Sequence, residues 1–309
     1  MMITRKEIEA YKDNNILQEI MPSLLKTVEH AGTYALYLKQ NQQYKIPLCS
    51  EDNKSCAVPN VQLPADVMIE NFIFNHLTLL TKDIPIISEE RMHNCKQIPD
   101  IKDKTFLCVD PLDGSYCFAH NDQPFSIQLA LIVKEEPVLG ISHYPKDNIT
   151  YFGHYGMHSK IKENGNICDL PYYNRHYEKL DHLKAYISNA SADREYIKKY
   201  LQHLGINHSE IVKGCPNLCH VIDGQCDVFP IFHPNYEWDT AAYDAILRYT
   251  NDANTPCLFN LNGTPVKYGK DGSELFKNQH VIATPNASVQ KKIIQYAHMD
   301  IHRNGGNDI

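Results

Sequence analysis

The segment CVDPLDGSYCF, residues 108–118, sets Asp110 and Asp113 three positions apart around a proline and follows them at once with Gly114 and Ser115. Taken alone, Asp-Pro-x-Asp-Gly is a good β-turn sequence. It gains chemical meaning beside two other acidic segments: Ser88-Glu89-Glu90, directly after the apolar run IPII at 84–87, and Asp239, directly after the lone Trp238. Singly, a Glu-Glu pair after a strand is usually a solvated edge, and an Asp after Trp is more often a helix cap than a ligand. Each of these carboxylates, however, stands at the end of an expected strand or the start of an expected helix, where side chains from distant segments can meet. Asp66 joins Glu89, Asp110, Asp113 and Asp239 to give five acids with no histidine in their company, a donor set suited to a hard cation such as magnesium or manganese rather than zinc.

Convergence of such acids has an electrostatic cost. Two carboxylates about 4 Å apart repel by roughly 4 kcal/mol at an effective dielectric of ~20, so a cluster must either keep protons or bind cations. Gly114 permits close backbone approach, and the amides at Gly114 and Ser115 can point at an anion such as phosphate. A helix opening at Asp239 brings a positive dipole end to the same place.

The elements that must position these residues are legible as patterns. Leu24, Val28, Ala31, Ala35 and Leu38 repeat at helical spacing and predict a long amphipathic helix over 15–40. Residues 41–63 follow neither period and read as an irregular loop. A second helix is expected from about Pro64, with Val67, Phe72, Ile73 and Leu77 as its apolar stripe. The runs IPII, TFLCV (105–109), FSIQLALIV (125–133) and VLGISHY (138–144) read as strands of a sheet. Beyond a cluster of glycines and Pro171 come a strand AYIS at 185–188, a helix from about Ala192, strands in IVK and CDVFPIF, and a helix over 241–249. We therefore expect a domain change between about 155 and 180, drawn at 160: an N-terminal α+β domain over 1–160 carrying most of the acids, and a C-terminal α/β domain over 161–309 carrying Asp239 and the substrate-side residues.

Bulk properties narrow the function. The start, MMITRKEIEAYK, lacks the apolar run of a secretory signal, and no window approaches about 18 consecutive apolar residues, so a cytoplasmic protein is expected. The ten cysteines fall at irregular spacings and read as free thiols. A formal net charge of -7 with no basic stripe argues against a nucleic-acid polymer as partner. Cys215, Cys219 and His220 lack further ligands at suitable spacing, YGKDGS at 268–273 reads as a hairpin turn, and no cysteine has an evident activating base.

SEE, DPLDGS and WDTAA, in that order, resemble the lithium-sensitive, magnesium-dependent phosphatase family that includes inositol monophosphatases and 3'(2'),5'-bisphosphate nucleotidases. The likeness extends through PADVMIENFIFNHLTLLTKDIPIISEE, DPLDGSYCFAHNDQPFSIQLALI, EPVLGISHYP and CDVFPIFHPNYEWDTAA, roughly residues 20–285, and is strongest to the bacterial bisphosphate nucleotidase (CysQ) branch of the inositol monophosphatase superfamily. The resemblance implies an α+β fold, a layered α/β/α/β/α sandwich of the sugar-phosphatase type. It implies that Glu89, Asp110 and the Leu112 carbonyl hold one Mg²⁺, that Asp110, Asp113 and Asp239 hold a second, and that two or three ions serve each site. It further implies that Asp66 and the Ser115 hydroxyl help to activate a water for in-line attack on phosphorus, while the Gly114 and Ser115 amides hold the phosphate and Asp239 borders the substrate. Lithium inhibition and a small phosphorylated metabolite as partner follow, with a homodimer among the assemblies allowed.

The departures from the family pattern concern recognition. Leu63 replaces a threonine three residues before Asp66, and the familiar DGT is here DGS, which keeps a hydroxyl. The stretch SEDNKSCAVPNVQL leaves Asp52 as a doubtful counterpart of the usual upstream acid. Gly214-Cys215-Pro216-Asn217 stands where the nucleotidase branch has a Ser-Ser-Leu-Lys run, and Ile231 replaces a basic residue. Tyr116 and Cys117 replace a common Lys and Glu. The leading expectation is hydrolysis of adenosine 3',5'-bisphosphate to AMP and phosphate. The alternatives are an inositol or other sugar-phosphate phosphatase, and a metal-binding homologue with weak catalysis.

Overall fold

The computed structural model describes residues 2–42, 63–94, 98–120, 124–171, 179–189, 191, 194–212, 218–233, 235–250, 256–271, 275–285 and 289–295. The expected loop around Asp52 and the segment Gly214–Asn217 lie outside them. Eight α-helices are described: α1 Arg5–Glu9, α2 Ile16–Gln40, α3 Pro64–Leu80, α4 Glu89–Asn94, α5 Ser115–His120, α6 Arg194–His203, α7 Cys219–Ile222 and α8 Glu237–Thr250.

The first sheet runs β1 (Ile86–Ser88), β2 (Phe106–Asp113), β3 (Ser126–Val133), β4 (Glu136–Tyr144), β5 (Ile149–His154), β6 (Met157–Glu163) and β7 (Asn166–Asp169), in that spatial order. Only β1 and β2 are parallel; every later neighbour is antiparallel, as short connections require. The boundary expected at residue 160 therefore falls inside β6, and the sheet continues to Asp169. The glycines near 153–165 belong to strands and tight hairpins rather than to a linker. We propose that any division into two domains comes after Asp169.

The second half holds β8 (Lys184–Ser188), β9 (His208–Val212), β10 (Phe229–Ile231), β11 (Asn235–Tyr236), β12 (Leu258–Asn260), β13 (Lys277–Asn278) and β14 (Val281–Ala283). β10, β14 and β12 form an antiparallel sheet, β8 pairs with β9 in parallel, and a bridge from Ala185 to Val228 links the two. β11 and β13 form a separate antiparallel pair.

Three apolar clusters define the layers. The first packs α2 and α3 on one face of the large sheet, burying Leu24, Val28, Ala31, Ala35 and Leu38 as the periodicity predicts. The second fills the space between the other face, α8 and the second sheet. The third seats α6 on the far side of the second sheet through Ile197 and Leu201. The order is helix, sheet, helix, sheet, helix, an α+β sandwich of five layers as expected. One detail differs: the buried face of α3 is Ala65, Asp66, Ile69, Glu70, Ile73 and Leu77, with Val67 and Phe72 only half-buried. Two acids thus lie on a face that is otherwise apolar.

At Gly140, α8 lies so close to β4 that no side chain fits between them. A Cβ on Gly140 meets the Ala242 carbonyl oxygen at 2.3 Å and the Ala245 Cβ at 2.8 Å. Gly140→Ala must push the helix outward, and we expect a loss of about 1–3 kcal/mol in urea unfolding, the usual cost of overpacking a core. Because α8 also carries Asp239, turnover should fall with it; unchanged stability and turnover contradict this account.

Candidate active site

The central acids are placed by an irregularity in a strand. On β2, Asp110 pairs with Gln128 and Asp113 with Ser126, so three steps along β2 match two along β3. Side chains in a regular strand alternate faces, and residues three apart point oppositely. The extra residue is a bulge across Pro111-Leu112, which resets the alternation and puts Asp110 and Asp113 on one face. The Leu112 amide donates to Asp110 Oδ1 at 2.9 Å. Ser126 Oγ donates to Asp113 Oδ2 at 3.2 Å, and the Gln128 side-chain amide ties Ser126 to the Tyr243 hydroxyl on α8. Gly114, at φ +92°, turns the chain out of β2 into α5, a conformation that glycine takes without strain.

Asp66 and Asp239 share a second device. Each is the third residue of its helix and reaches back to the amide before it: Leu63 N–H donates to Asp66 Oδ2, and Tyr236 N–H to Asp239 Oδ2, both at 2.6 Å. This is the acidic half of a capping box, and it anchors both carboxylates at positive helix ends. Leu63 supplies no side-chain cap, so Asp66 carries that end alone. Ser115 Oγ lies 3.2 Å from Asp66 Oδ1 and 3.0 Å from the Leu112 carbonyl oxygen, which joins the α3 and α5 termini. Glu89 opens α4, directly after β1, whose residues run beside β2.

A residue that sequence reasoning missed holds this corner. Glu70, one turn beyond Asp66, is buried and accepts hydrogen bonds from the Ser88 hydroxyl and, at 3.0 Å, from the Arg91 amide. It thereby clamps α3 to the segment bearing Glu89. The signal was in the sequence: Asp66 and Glu70 are spaced i, i+4 on an apolar helix face, and such acids need partners.

The acids sense one another. Asp110 is 1% exposed, while Glu89, Asp113 and Asp239 are half-buried. Burial first, then the charges of Glu89, Asp113 and Asp239, hold Asp110 well above the usual carboxylate range. Burial and then Asp239 push Glu89 up to about 9. Burial and then Asp239 bring Asp113 to about 7, and burial alone brings Asp239 to about 6 against the Tyr236 hydrogen bond. Asp66 rises to about 7 for the same primary reason, with Glu90 and Glu70 adding to it. Carboxylates from β2, α3, α4 and α8 thus share one electrostatic neighbourhood, although the chain separates them by up to 173 positions (66 to 239).

They do not close into a tight cage: among the described residues, no three His, Cys, Asp or Glu side chains group closely enough to hold an ion. The oxygens instead face local donors, as at Asp66, Asp110 and Asp239. The donor chemistry still fits a hard cation, since the set is all carboxylate and its members raise one another's pKa.

The other candidates resolve as structure. The amides of Gly269 and Lys270 donate to the buried Glu237 carboxylate at 2.6 and 2.9 Å, so the YGKDGS segment, as far as Asp271, braces the start of α8 rather than cradling phosphate. His220 Nδ1 lies 2.8 Å from Gln225 Oε1, and Cys215 lies outside the described residues. Ile231 is 6% exposed and packs in the second apolar cluster; Tyr116 is exposed and Cys117 buried.

The model of the inositol monophosphatase family matches residues 28–301, and the chain belongs to that family; it is a phosphatase of a group whose members are generally metal-dependent and act on small phosphorylated metabolites. Among curated proteins it is similar to the 3'(2'),5'-bisphosphate nucleotidase CysQ of Aggregatibacter actinomycetemcomitans, 29% identical over 223 residues, 71% of this chain and 78% of that protein. The enzyme of the same name from Escherichia coli K12 is 31% identical over 189 residues, covering 59% of this chain and 70% of that one. Among solved structures, CysQ from Bacteroides thetaiotaomicron superposes with a TM-score of 0.64 at 21% identity, over 88% of this chain and all (100%) of that one. These likenesses bear out the expected family, branch and fold. No described helix is long and apolar enough to cross a membrane.

Proposed function

We propose that the chain is a magnesium-dependent 3'(2'),5'-bisphosphate nucleotidase, releasing one phosphate from adenosine 3',5'-bisphosphate. The observation that carries this reading is the β2 bulge, which turns Asp110 and Asp113 to one face within electrostatic reach of Glu89 and Asp239. In it, Glu89, Asp110, Asp113, Asp239 and the Leu112 carbonyl hold two or three Mg²⁺ ions. Bound there, the ions supply Lewis acidity, a lowered pKa for the attacking water and charge balance on the leaving oxygen.

The chain's own residues do the rest. Asp66, with a pKa near the working pH, is matched to accept a proton, and Ser115 Oγ links it to the Leu112 carbonyl. The amides that open α5 and the N-termini of α3 and α8 favour the transferring phosphate. Ser115→Ala should lower kcat about ten- to a hundredfold with little change in KM, because the hydroxyl orients rather than binds. A rise in KM alone argues against that role.

A second reading, an inositol or sugar-phosphate phosphatase, is favoured by one observation: Ile231 is buried apolar surface where the nucleotidase branch carries a basic residue. Phosphate release from adenosine 3',5'-bisphosphate and from inositol 1-phosphate, with Mg²⁺ present, separates the two. A purified chain that releases phosphate from neither, nor from an aryl phosphate, overturns both.

A further inference from the structure

A groove of about 520 Å³ opens at Tyr236, whose amide donates to Asp239, and is lined by Phe232, His233, Asn235, Tyr236, Lys277, Asn278, Gln279 and His280. That volume lies in the range of small-molecule sites. In a chain of net charge -7, the lining contains, among the described residues, one lysine, two histidines and no carboxylate. Local charge here is inverted relative to the whole molecule, which is what a polyanionic ligand needs to approach an acidic protein.

The groove is rigid underneath and polar at its rim. Asn278 Nδ2 donates to Asn235 Oδ1, the Tyr236 carbonyl and Thr240 Oγ1, each at 2.9 Å, and Asn278 Oδ1 accepts from Lys270 Nζ at the same distance. The floor is thereby fastened to the first turn of α8. Lys277, Gln279 and His280 are exposed above it, and Lys277 has no ion pair among the described residues. The rings of Phe232 and His280 pack with centroids 4.9 Å apart at an interplanar angle of 44°, giving the rim an aromatic edge.

Its position is fixed relative to the acids. Lys277 is the Cα partner of Tyr236 across the β11–β13 pair, and the Tyr236 amide donates to Asp239. Cross-strand partners lie about 5 Å apart, and the four-carbon stem of lysine lets its ammonium swing towards or away from that carboxylate. Lys277 therefore stands on the strand beside the one that anchors Asp239, where a ligand held at the acids can present a second anionic group to it.

Resting on the reading given above, we propose that this groove receives the second, unhydrolysed phosphate of a nucleoside bisphosphate, with Lys277 as its charge partner and His280 beside it. The positive charge missing at Ile231 is then supplied from β13, the partner of the strand that leads into α8. This assigns substrate selectivity to Lys277, a residue that no motif of the sequence singles out.

The test compares wild type with Lys277→Gln on adenosine 3',5'-bisphosphate and on adenosine 3'-monophosphate, which lacks the second phosphate. The ratio of kcat/KM values, bisphosphate over monophosphate, should fall about ten- to a hundredfold in the variant, the range for losing one charge-assisted hydrogen bond. Inhibition by adenosine 5'-monophosphate, which carries only the unhydrolysed phosphate, should weaken in parallel, and thermal melting verifies that the exposed substitution leaves the fold intact. An unchanged ratio, or a wild type that does not prefer the bisphosphate, overturns the assignment while leaving the phosphatase standing. If the wild type turns over neither nucleotide, the nucleotidase reading fails first and this inference falls with it.

Discussion

Replacing Asp113 with asparagine is expected to cut phosphate release roughly a thousandfold at saturating Mg²⁺, about 4 kcal/mol of transition-state stabilisation. The shape of the side chain is kept, and its contact with Ser126 Oγ can persist. Only the charge is lost, and the charge is what a hard cation needs. The same change should not weaken the metal-free protein: Asp113 is raised to about 7 by burial and by Asp239, so removing its charge relieves repulsion. Metal-free Tm should therefore hold or rise, while the Tm gain on adding Mg²⁺ shrinks. Activity near wild type at saturating Mg²⁺ contradicts the placement of Asp113 at the reaction centre. A large drop in metal-free Tm points instead to a structural role.

Removing divalent cations is expected to abolish turnover and to lower stability in a pH-dependent way. Asp239, Asp66, Asp113 and Glu89 have folded-state pKa values of about 6, 7, 7 and 9, all above their ordinary values. For a carboxylate raised on folding, the folded state binds more protons than the unfolded chain, so its contribution is favourable at low pH and is lost as pH rises through the folded pKa. The loss begins above the ordinary carboxylate pKa of about 4 and is largely complete near pH 9. Bound Mg²⁺ reverses the sign, because it favours the charged forms. The Tm difference between Mg²⁺ and EDTA samples should thus be small at pH 5 and larger at pH 8. A difference that is equal at both, or greater at pH 5, removes the electrostatic basis of the site.

The geometry also explains why the departures from the family pattern leave the acids in place. Leu63 gives up a side-chain cap, but Asp66 still bonds its amide and stays oriented. Ser115 in place of threonine keeps the oxygen that meets Asp66 and the Leu112 carbonyl. Ile231 is a buried residue of the second apolar cluster and Tyr116 an exposed ring; if the groove receives the second phosphate, as proposed, Lys277 supplies the positive charge there.

The sequence by itself determined the long helix over 16–40, the inner strands, the family, and the candidate acids, because each is written in local periodicity or in a contiguous motif. It could not set the end of the first sheet, since β6 is largely half-buried, β7 is short and exposed, and both are entered through glycine turns that look like a linker. The spacing of Asp66 and Glu70 marks Glu70 as an acid that needs partners, but the sequence could not say which partners it clamps, nor reveal the cation at Lys277. Both depend on which segments lie side by side: Glu70 meets Ser88 across 18 positions, and Lys277 faces Tyr236 only through the β11–β13 pair. That Asp110 and Asp113 share a face was likewise decided by the structure, because alternation along an isolated strand points them apart and only pairing with β3 exposes the extra residue. Local chemistry chooses which side chains are available; the register between distant segments, fixed by burying both faces of the large sheet, decides which of them can act together.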